Sequence, residues 1–270
     1  MSGPQSSHFK FKQFSLWHDK CGMKVSTDGV ALGAWAELVN TKCDESDLGL
    51  TRILDIGTGT GLLALMLAQR YSQNRRELLT QNQQIKIIAL ELDPAAAQQA
   101  RFNVENSPWS DMISVITTDV NDWSQTPENN ATKFEHIICN PPYFSNSLNS
   151  PDQARDRARH NDSLSFESLS ETVKRHLAED GHFELILPIE EAKRFDLCAV
   201  NVGLAKTSII SLQHNPTKTP NRLLVRYKHV TKVLTSENLD TPNSQLIIRD
   251  SEGHFHPSFA AITNEFYLKL

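Results

Sequence analysis

The chain has 270 residues, 39% of them hydrophobic, and a formal net charge of −5, enough length and apolar content for one large domain with a substantial core. The mild negative charge excludes binding to nucleic acid by bulk attraction, and no run approaches the roughly 18 apolar residues of a membrane span. Met1 to Lys12 is polar and aromatic and lacks the apolar segment of a signal peptide, so a single cytoplasmic domain over 1–270 is expected.

Thr51 to Ile56 is a short apolar run stopped by glycines, and Leu62 to Ala68 is rich in helix formers without β-branched residues. The pair reads as strand, tight turn, helix. The Gln- and Asn-rich stretch Ser72 to Gln84 reads as a surface loop or an extended helix end, and Ile85 to Glu91 as a second strand ending on an acid. Asp93-Pro94 puts an N-cap residue before a proline at the first helical position, which predicts a helix to Glu105. Met112 to Thr118 is a third strand with Asp119 at its end, and Phe134 to Cys139 a fourth with Asn140 at its end. This alternation predicts an α/β fold with a mostly parallel sheet covered on both faces. Further on, the patterns predict a helix over Phe166 to Glu179, a strand over His182 to Leu187 and a helix over Ile189 to Val202. Strands Ser208 to Leu212, Leu223 to His229 and Gln245 to Arg249 follow, then a turn at Asp250 to Gly253 and a helix over Pro257 to Glu265. Asn146 to Asp162 has no periodicity and carries Arg155, Arg157, Arg159 and His160, which predicts a loop beside the turn after the fourth strand.

In an open parallel sheet the ligand crevice lies beyond the carboxyl ends of the strands, where the strand order switches. Asp55, Glu91, Asp119 and Asn140 all stand at such ends, and their convergence is more specific than any one of them. Gly57, Gly59 and Gly61 let the backbone turn tightly and approach a ligand. A glycine turn with a downstream acid also describes a dinucleotide site, but here the pattern is Gly-x-Gly-x-Gly and Glu91 lies 30 residues past Gly61, against about 20 beyond the glycines of the dinucleotide fingerprint. That spacing separates adenosylmethionine from a dinucleotide only weakly.

Asn140-Pro141-Pro142-Tyr143 decides between them. A planar amide or amine nitrogen has its lone pair delocalised, so it must be held in line with an activated methyl group while its N–H bonds are accepted. The Asn side-chain oxygen and the Pro141 carbonyl can accept them, Pro142 stiffens the loop, and Tyr143 offers a face for a flat substrate. Hydride transfer has no use for such a turn.

Plainer readings stand beside these. Asp55 can cap the following helix, Phe14 and Trp35 can belong to the core, and His160 and the three arginines can be exposed surface. Leu197 to Ser236 holds six Lys or Arg, Lys218 and Arg222 among them, and no acid, which reads equally as a basic face or as a solvated strand and loop. Cys21, Cys43, Cys139 and Cys198 show no Cys-x-x-Cys spacing, so neither a metal site nor a disulfide framework is expected, and Cys139 and Cys198 read as buried thiols.

In its order of Asp-x-Gly-x-Gly-x-Gly, acid, Asp and Asn-Pro-Pro-Tyr, the chain resembles the Rossmann-like, seven-stranded, adenosylmethionine-dependent methyltransferases that modify amino groups. Phe9 to Phe14, His18-Asp19, and Met23-Lys24-Val25-Ser26-Thr27-Asp28-Gly29-Val30 to Gly33-Ala34-Trp35 resemble the opening of one branch, the bacterial tRNA1(Val) adenine N6-methyltransferases. The likeness extends over nearly the whole chain, including Arg159 to Phe166, and departs from it at the Gln-rich stretch.

The resemblance implies a doubly wound, mostly parallel sheet with an antiparallel edge strand. An N-terminal segment, 1–40, would close over the cofactor on a catalytic core, 41–270. It implies S-adenosyl-L-methionine as cofactor and the N6 amine of the adenosine just 3′ of a tRNA anticodon as target. Gly57, Thr58, Gly59 and Gly61 would wrap the methionine part, anchored by Asp55 and closed over by Thr27 and Asp28. Glu91 would take the ribose hydroxyls, and Asp119 with Val120 the adenine amine. Asn140 and Pro141 would accept the target hydrogens, and Tyr143 would stack on the base. Arg155, Arg157, Arg159, His160, Lys218 and Arg222 are the candidate RNA contacts. No metal is implied, and a monomer is expected because no helix carries a heptad seam. A protein glutamine or another base amine, a non-catalytic binding module and, more distantly, a nicotinamide enzyme remain as alternatives.

Overall fold

The computed structural model of the chain describes residues 8–21, 24–39, 49–77, 84–141, 164–233 and 244–269. Four apolar runs form strands β3 (Leu50–Ile56), β4 (Gln84–Glu91), β5 (Ile113–Thr117) and β6 (Phe134–Cys139), all parallel, in the order β6-β3-β4-β5. Parallel neighbours need long crossovers, supplied by helices α2 (Leu62–Glu77), α3 (Pro94–Glu105) and α4 (Val120–Gln125). The chain runs from β3 outward to β5 and then returns to place β6 on the opposite side of β3, so the strand order switches between β3 and β6.

Helices α5 (Phe166–His176) and α6 (Ile189–Asn201) flank β7 (Leu177–Pro188), which is parallel to β6. β9 (Arg222–His229) runs antiparallel between β7 and β8 (Leu204–Gln213), and β10 (Ser244–Ile247) closes the sheet parallel to β8. The Rossmann-like, mostly parallel sheet is therefore formed, with two differences from expectation. Among the described residues it has eight strands, and the one reversed strand among them is interior rather than at the edge. β8 and β9 form a hairpin whose second arm inserts beside β7, leaving the outer edge of β8 to be covered by β10. Helices α7 (Val230–Val233) and α8 (Pro257–Thr263) follow β9 and β10.

Alternation along the strands covers both faces. Ile53, Ile87, Ile138 and Ile186 pack with α2 and with α1 (Thr27–Trp35), whereas Leu54, Ile137 and Leu185 pack with Leu169 and Val173 of α5 and Phe195 of α6. Phe14 is in the first of these layers, and Trp35 lies at its margin. The N-terminal hairpin β1 (His8–Lys10) and β2 (Ser15–Trp17) is tied to α3 by Asn103, whose side chain bonds both the N–H and the carbonyl of Trp17 and also the Thr60 carbonyl.

Two boundaries move. The first part of the Gln-rich stretch is helical, as the continuation of α2 to Glu77. The helix expected to reach Glu179 stops at His176, because Leu177 already pairs with Phe134 and β7 takes over. Gly181 sits at the β-bulge this creates, where an added Cβ would lie 2.9 Å from the Glu135 carbonyl and 3.0 Å from that of Phe134. Cys139 is buried as expected, but Cys198 is only half-buried, on α6 beside Glu167. Among the described residues no helix is long and apolar enough to cross a membrane.

Candidate active site

A cavity of about 830 Å³ opens at the carboxyl ends of β3, β4, β5 and β6, at the switch in strand order, and is lined by Gly57, Thr58, Gly59, Glu91, Asp119, Val120, Asn140 and Pro141. The opposite wall is Lys24, Val25, Ser26 and Gly29, the lead into α1. The floor is the glycine turn, with positive φ of 70°, 58° and 84° at Gly57, Gly59 and Gly61. A Cβ at Gly57 or Gly59 would meet nothing within 4 Å, so glycine is required there by the left-handed backbone rather than by crowding.

The turn is held from beneath. The N–H groups of Gly57 and Thr58 both donate to the Leu90 carbonyl at 2.9 Å, and that of Gly59 donates to Glu91 Oε2 at 2.8 Å. Asp55 Oδ2 accepts from the Thr58 hydroxyl at 2.6 Å and from the Ala64 N–H at 3.2 Å, capping the first turn of α2 from outside the helix. Asp55 is fully buried, does not line the cavity, and its Oδ1 has no partner among the described residues. Burial pushes its carboxyl up to about 7, with a smaller push from Glu91 and against the opposing pull of Thr58 and Ala64. The capping role is thus the one these contacts support; the cofactor contact stays a proposal.

Glu91 has both oxygens committed as acceptors, Oε2 from Gly59 and Oε1 from the Asp93 N–H at 3.0 Å, and still presents its carboxylate to the cavity. Asp119 Oδ1 accepts from Asn121 N–H at 2.6 Å as the N-cap of α4, which fixes Val120 beside it. Asn140 emerges from β6 against α1: a Cβ at Gly29 would lie 3.5 Å from Asn140 Nδ2 and 2.9 Å from Leu62 Cδ2, so glycine there lets the helix pass close without moving the Leu62 side chain.

Thr27 and Asp28 begin α1 but do not line the cavity, and Asp28 pairs instead with Arg222, Nε to Oδ2 at 3.0 Å. Lys218 is exposed on the β8–β9 loop. Of the six cations in the basic stretch, Arg222 is thereby engaged, Lys206 pairs with Asp196, and Arg226 pairs with both Glu184 and Glu37. Pro142, Tyr143, Arg155, Arg157, Arg159 and His160 lie outside the described residues.

Residue-level reasoning missed Cys21, Lys24, Ser26, Gly29 and Leu92 as lining residues. Leu92, 49% exposed, forms an apolar shelf at the mouth next to Glu91. The Cys21 thiol is pushed up to about 11 by burial and by the nearby Glu91, Asp93 and Asp19, and burial likewise raises Cys139 well above its ordinary value. A pocket of this size with a pliant backbone floor, an apolar shelf and separated carboxylate acceptors suits a ligand combining hydroxyl or amine donors with a flat ring.

Residues 38–187 match the family described as Methyltransferase small domain. The chain is 39% identical over 262 residues to the tRNA1(Val) (adenine(37)-N6)-methyltransferase of Bacteroides fragilis, covering 97% of this chain and 98% of that one. It is 41% identical over 264 residues to the protein of the same name from Shewanella loihica, covering 97% and 99%. Among solved structures, one described as a predicted O-methyltransferase from Agrobacterium tumefaciens superposes with a TM-score of 0.58 at 20% identity over 88% of this chain and 96% of that one, a likeness of fold.

Proposed function

The chain belongs to the methyltransferase small domain family and to the tRNA1(Val) (adenine(37)-N6)-methyltransferase family, and from that premise we propose that it transfers a methyl group from S-adenosyl-L-methionine to the N6 amine of an adenosine in tRNA, at position 37 of tRNA1(Val). The observation that carries this is the convergence of Asn140 and Pro141 with the glycine turn, Glu91 and Asp119 on one cavity.

The residues present fit the cofactor. The left-handed glycine turn presents backbone rather than side chains to the methionine part, Glu91 is an acceptor for ribose hydroxyls, and Asp119 with Val120 meets the adenine edge. Bound there, the cofactor supplies an electrophilic methyl group on a sulfonium. Asn140 Oδ1 and the Pro141 carbonyl accept the two amine N–H bonds and turn the nitrogen toward that methyl. Both acceptors are neutral, so neither removes a proton; the amine becomes acidic on methylation and releases its proton afterwards. Catalysis is then mostly positioning and exclusion of water. Cys21 and Cys139 also line this cavity, and burial favours the neutral thiol in both.

Tyr143 stacks on the flipped base in this reading, and Lys218 with Arg155, Arg157, Arg159 and His160 meets the phosphates. The enzyme works as a monomer in the cytoplasm, where its substrate is. Asn140→Ala tests the assignment: cofactor affinity should stay within about twofold while transfer falls by roughly 100-fold or more, the scale of losing one positioned hydrogen-bonding group. Transfer at the unaltered rate would remove Asn140 from the mechanism, and label appearing in protein instead of RNA would move the substrate to a glutamine amide.

A further inference from the structure

Away from the cavity, on the α1 side of the sheet, His136 of β6 and His182 and Glu184 of β7 form a cluster that the methyl-transfer reading does not use. Their side chains are 0%, 3% and 0% exposed. Their ligand atoms all lie within 4.8 Å of one another. We propose that this cluster is a structural site for one divalent zinc-type cation, held by His136 Nε2, His182 Nε2 and Glu184 Oε2.

The backbone builds the arrangement. His136 and His182 are directly paired in register across β6 and β7, and Glu184, two residues further along β7, faces the same side of the sheet. The two imidazole centroids are 4.4 Å apart. His136 Nε2 lies 3.0 Å and His182 Nε2 3.8 Å from Glu184 Oε2. A tetrahedral ion with bonds of about 2.0–2.2 Å separates its ligand atoms by roughly 3.3–3.6 Å, a range that the two distances to Glu184 Oε2 bracket.

One unpartnered atom points the same way. Glu184 Oε1 is occupied by Arg226 Nε at 2.7 Å and by the Glu37 N–H at 3.1 Å, which orients Oε2 toward the two rings. His182 Nε2 has no hydrogen-bond partner among the described residues, and 3.8 Å to Oε2 is too long to count as one. A buried ring nitrogen without a partner is costly in a folded protein, and a cation among the three groups would satisfy it through its lone pair. Glu184 supplies an anionic ligand among the three groups, and Glu37 pairs with Arg226 beside it, so a cation has a carboxylate to bind.

Two nitrogens and one oxygen select zinc or a neighbouring late transition metal over magnesium or calcium, which prefer all-oxygen shells. None of the three residues lines the cavity, so the cation would lie apart from the methyl-transfer site. It clamps β6 to β7 and, through the Glu184 to Glu37 bond, fixes the end of α1, whose other end walls the cavity. Cysteine spacing gave no hint of it, because the ligands are histidines and a glutamate brought together only by strand pairing.

The test uses the full-length protein without a histidine tag, stripped with chelator and titrated with ZnCl2, reading bound metal by mass spectrometry and thermal melting in parallel, with CoCl2 in a second titration. The proposal predicts one zinc per chain, a raised melting temperature, and the intense visible absorption of tetrahedral Co2+. His182→Ala should weaken zinc binding by roughly 100-fold and abolish the absorption. If that variant fails to fold, the wild-type Co2+ spectrum still decides. No rise in melting temperature with less than stoichiometric zinc, an octahedral cobalt spectrum, or unchanged binding in folded His182→Ala would each overturn the site.

Discussion

Asp55→Asn should make the ligand-free protein more stable at pH 8 and abolish a pH dependence that the wild type shows. In the folded chain the Asp55 carboxyl titrates near 7 instead of 3.8, chiefly because it is buried. Between those values the native state holds a proton that the unfolded state has lost, so stability falls as pH rises from about 4 to 7 and is flat above. The full difference is roughly 4 kcal/mol, an upper limit for one carboxylate. The Asn oxygen can still accept from Thr58 and Ala64, where Oδ2 does now, but its NH2 group takes the place of Oδ1, which has no partner, at a cost of about 1–3 kcal/mol. The net gain expected at pH 8 is therefore about 1–3 kcal/mol, and it is lost by about pH 4, close to the unfolded-state titration, where the wild type no longer carries the penalty. Urea unfolding of both proteins at pH 4, 6 and 8 reads it directly, provided the slopes match. A variant that is less stable than wild type at pH 8, or that keeps the wild-type pH profile, would refute the placement of a strained carboxyl beneath the glycine turn.

Gly181→Ala should destabilise the fold by roughly 2–4 kcal/mol, since the new methyl group meets two backbone carbonyls at 3.0 Å or less; an unchanged urea midpoint would mean that the β6–β7 bulge opens freely. Glu91→Gln keeps the volume but replaces one of two committed acceptor oxygens by a donor, and calorimetry should show cofactor affinity falling about 10- to 100-fold, the worth of a charged hydrogen bond. Because Arg222 is engaged with Asp28, Arg222→Ala should leave tRNA affinity within about twofold, whereas Lys218→Ala should weaken it and reduce the salt slope by about one. The reverse pattern would show that the Asp28–Arg222 pair opens to receive RNA.

The parts of the fold that were legible are those coded locally. Asp93-Pro94 starts α3 as a cap and an N1 proline do anywhere, and the strand-end acids come together because parallel strands end on one side. What stayed hidden depends on contacts far along the chain. Helix α1 carries Gly29 and Gly33, poor helix formers, because α2 passes so close that a Cβ at Gly33 would lie 2.7 Å from Met66 Sδ. The hairpin β1–β2 owes its place to Asn103 of α3. The interior position of β9 follows from which strand its hairpin inserts beside, which no periodicity encodes. At the site, Glu91, Asp119 and Asn140 were readable from position, but the Asp28–Arg222 pair spans 194 residues, and counting charges along the chain does not reveal such a partner.

The most direct test of the central claim is nucleoside mass spectrometry of tRNA from cells lacking this gene, after incubation with the purified protein and labelled S-adenosyl-L-methionine. The account predicts labelled N6-methyladenosine at position 37 of tRNA1(Val), absent when Asn140→Ala replaces the wild type. Label on another base, or on protein with the tRNA unlabelled, would contradict it.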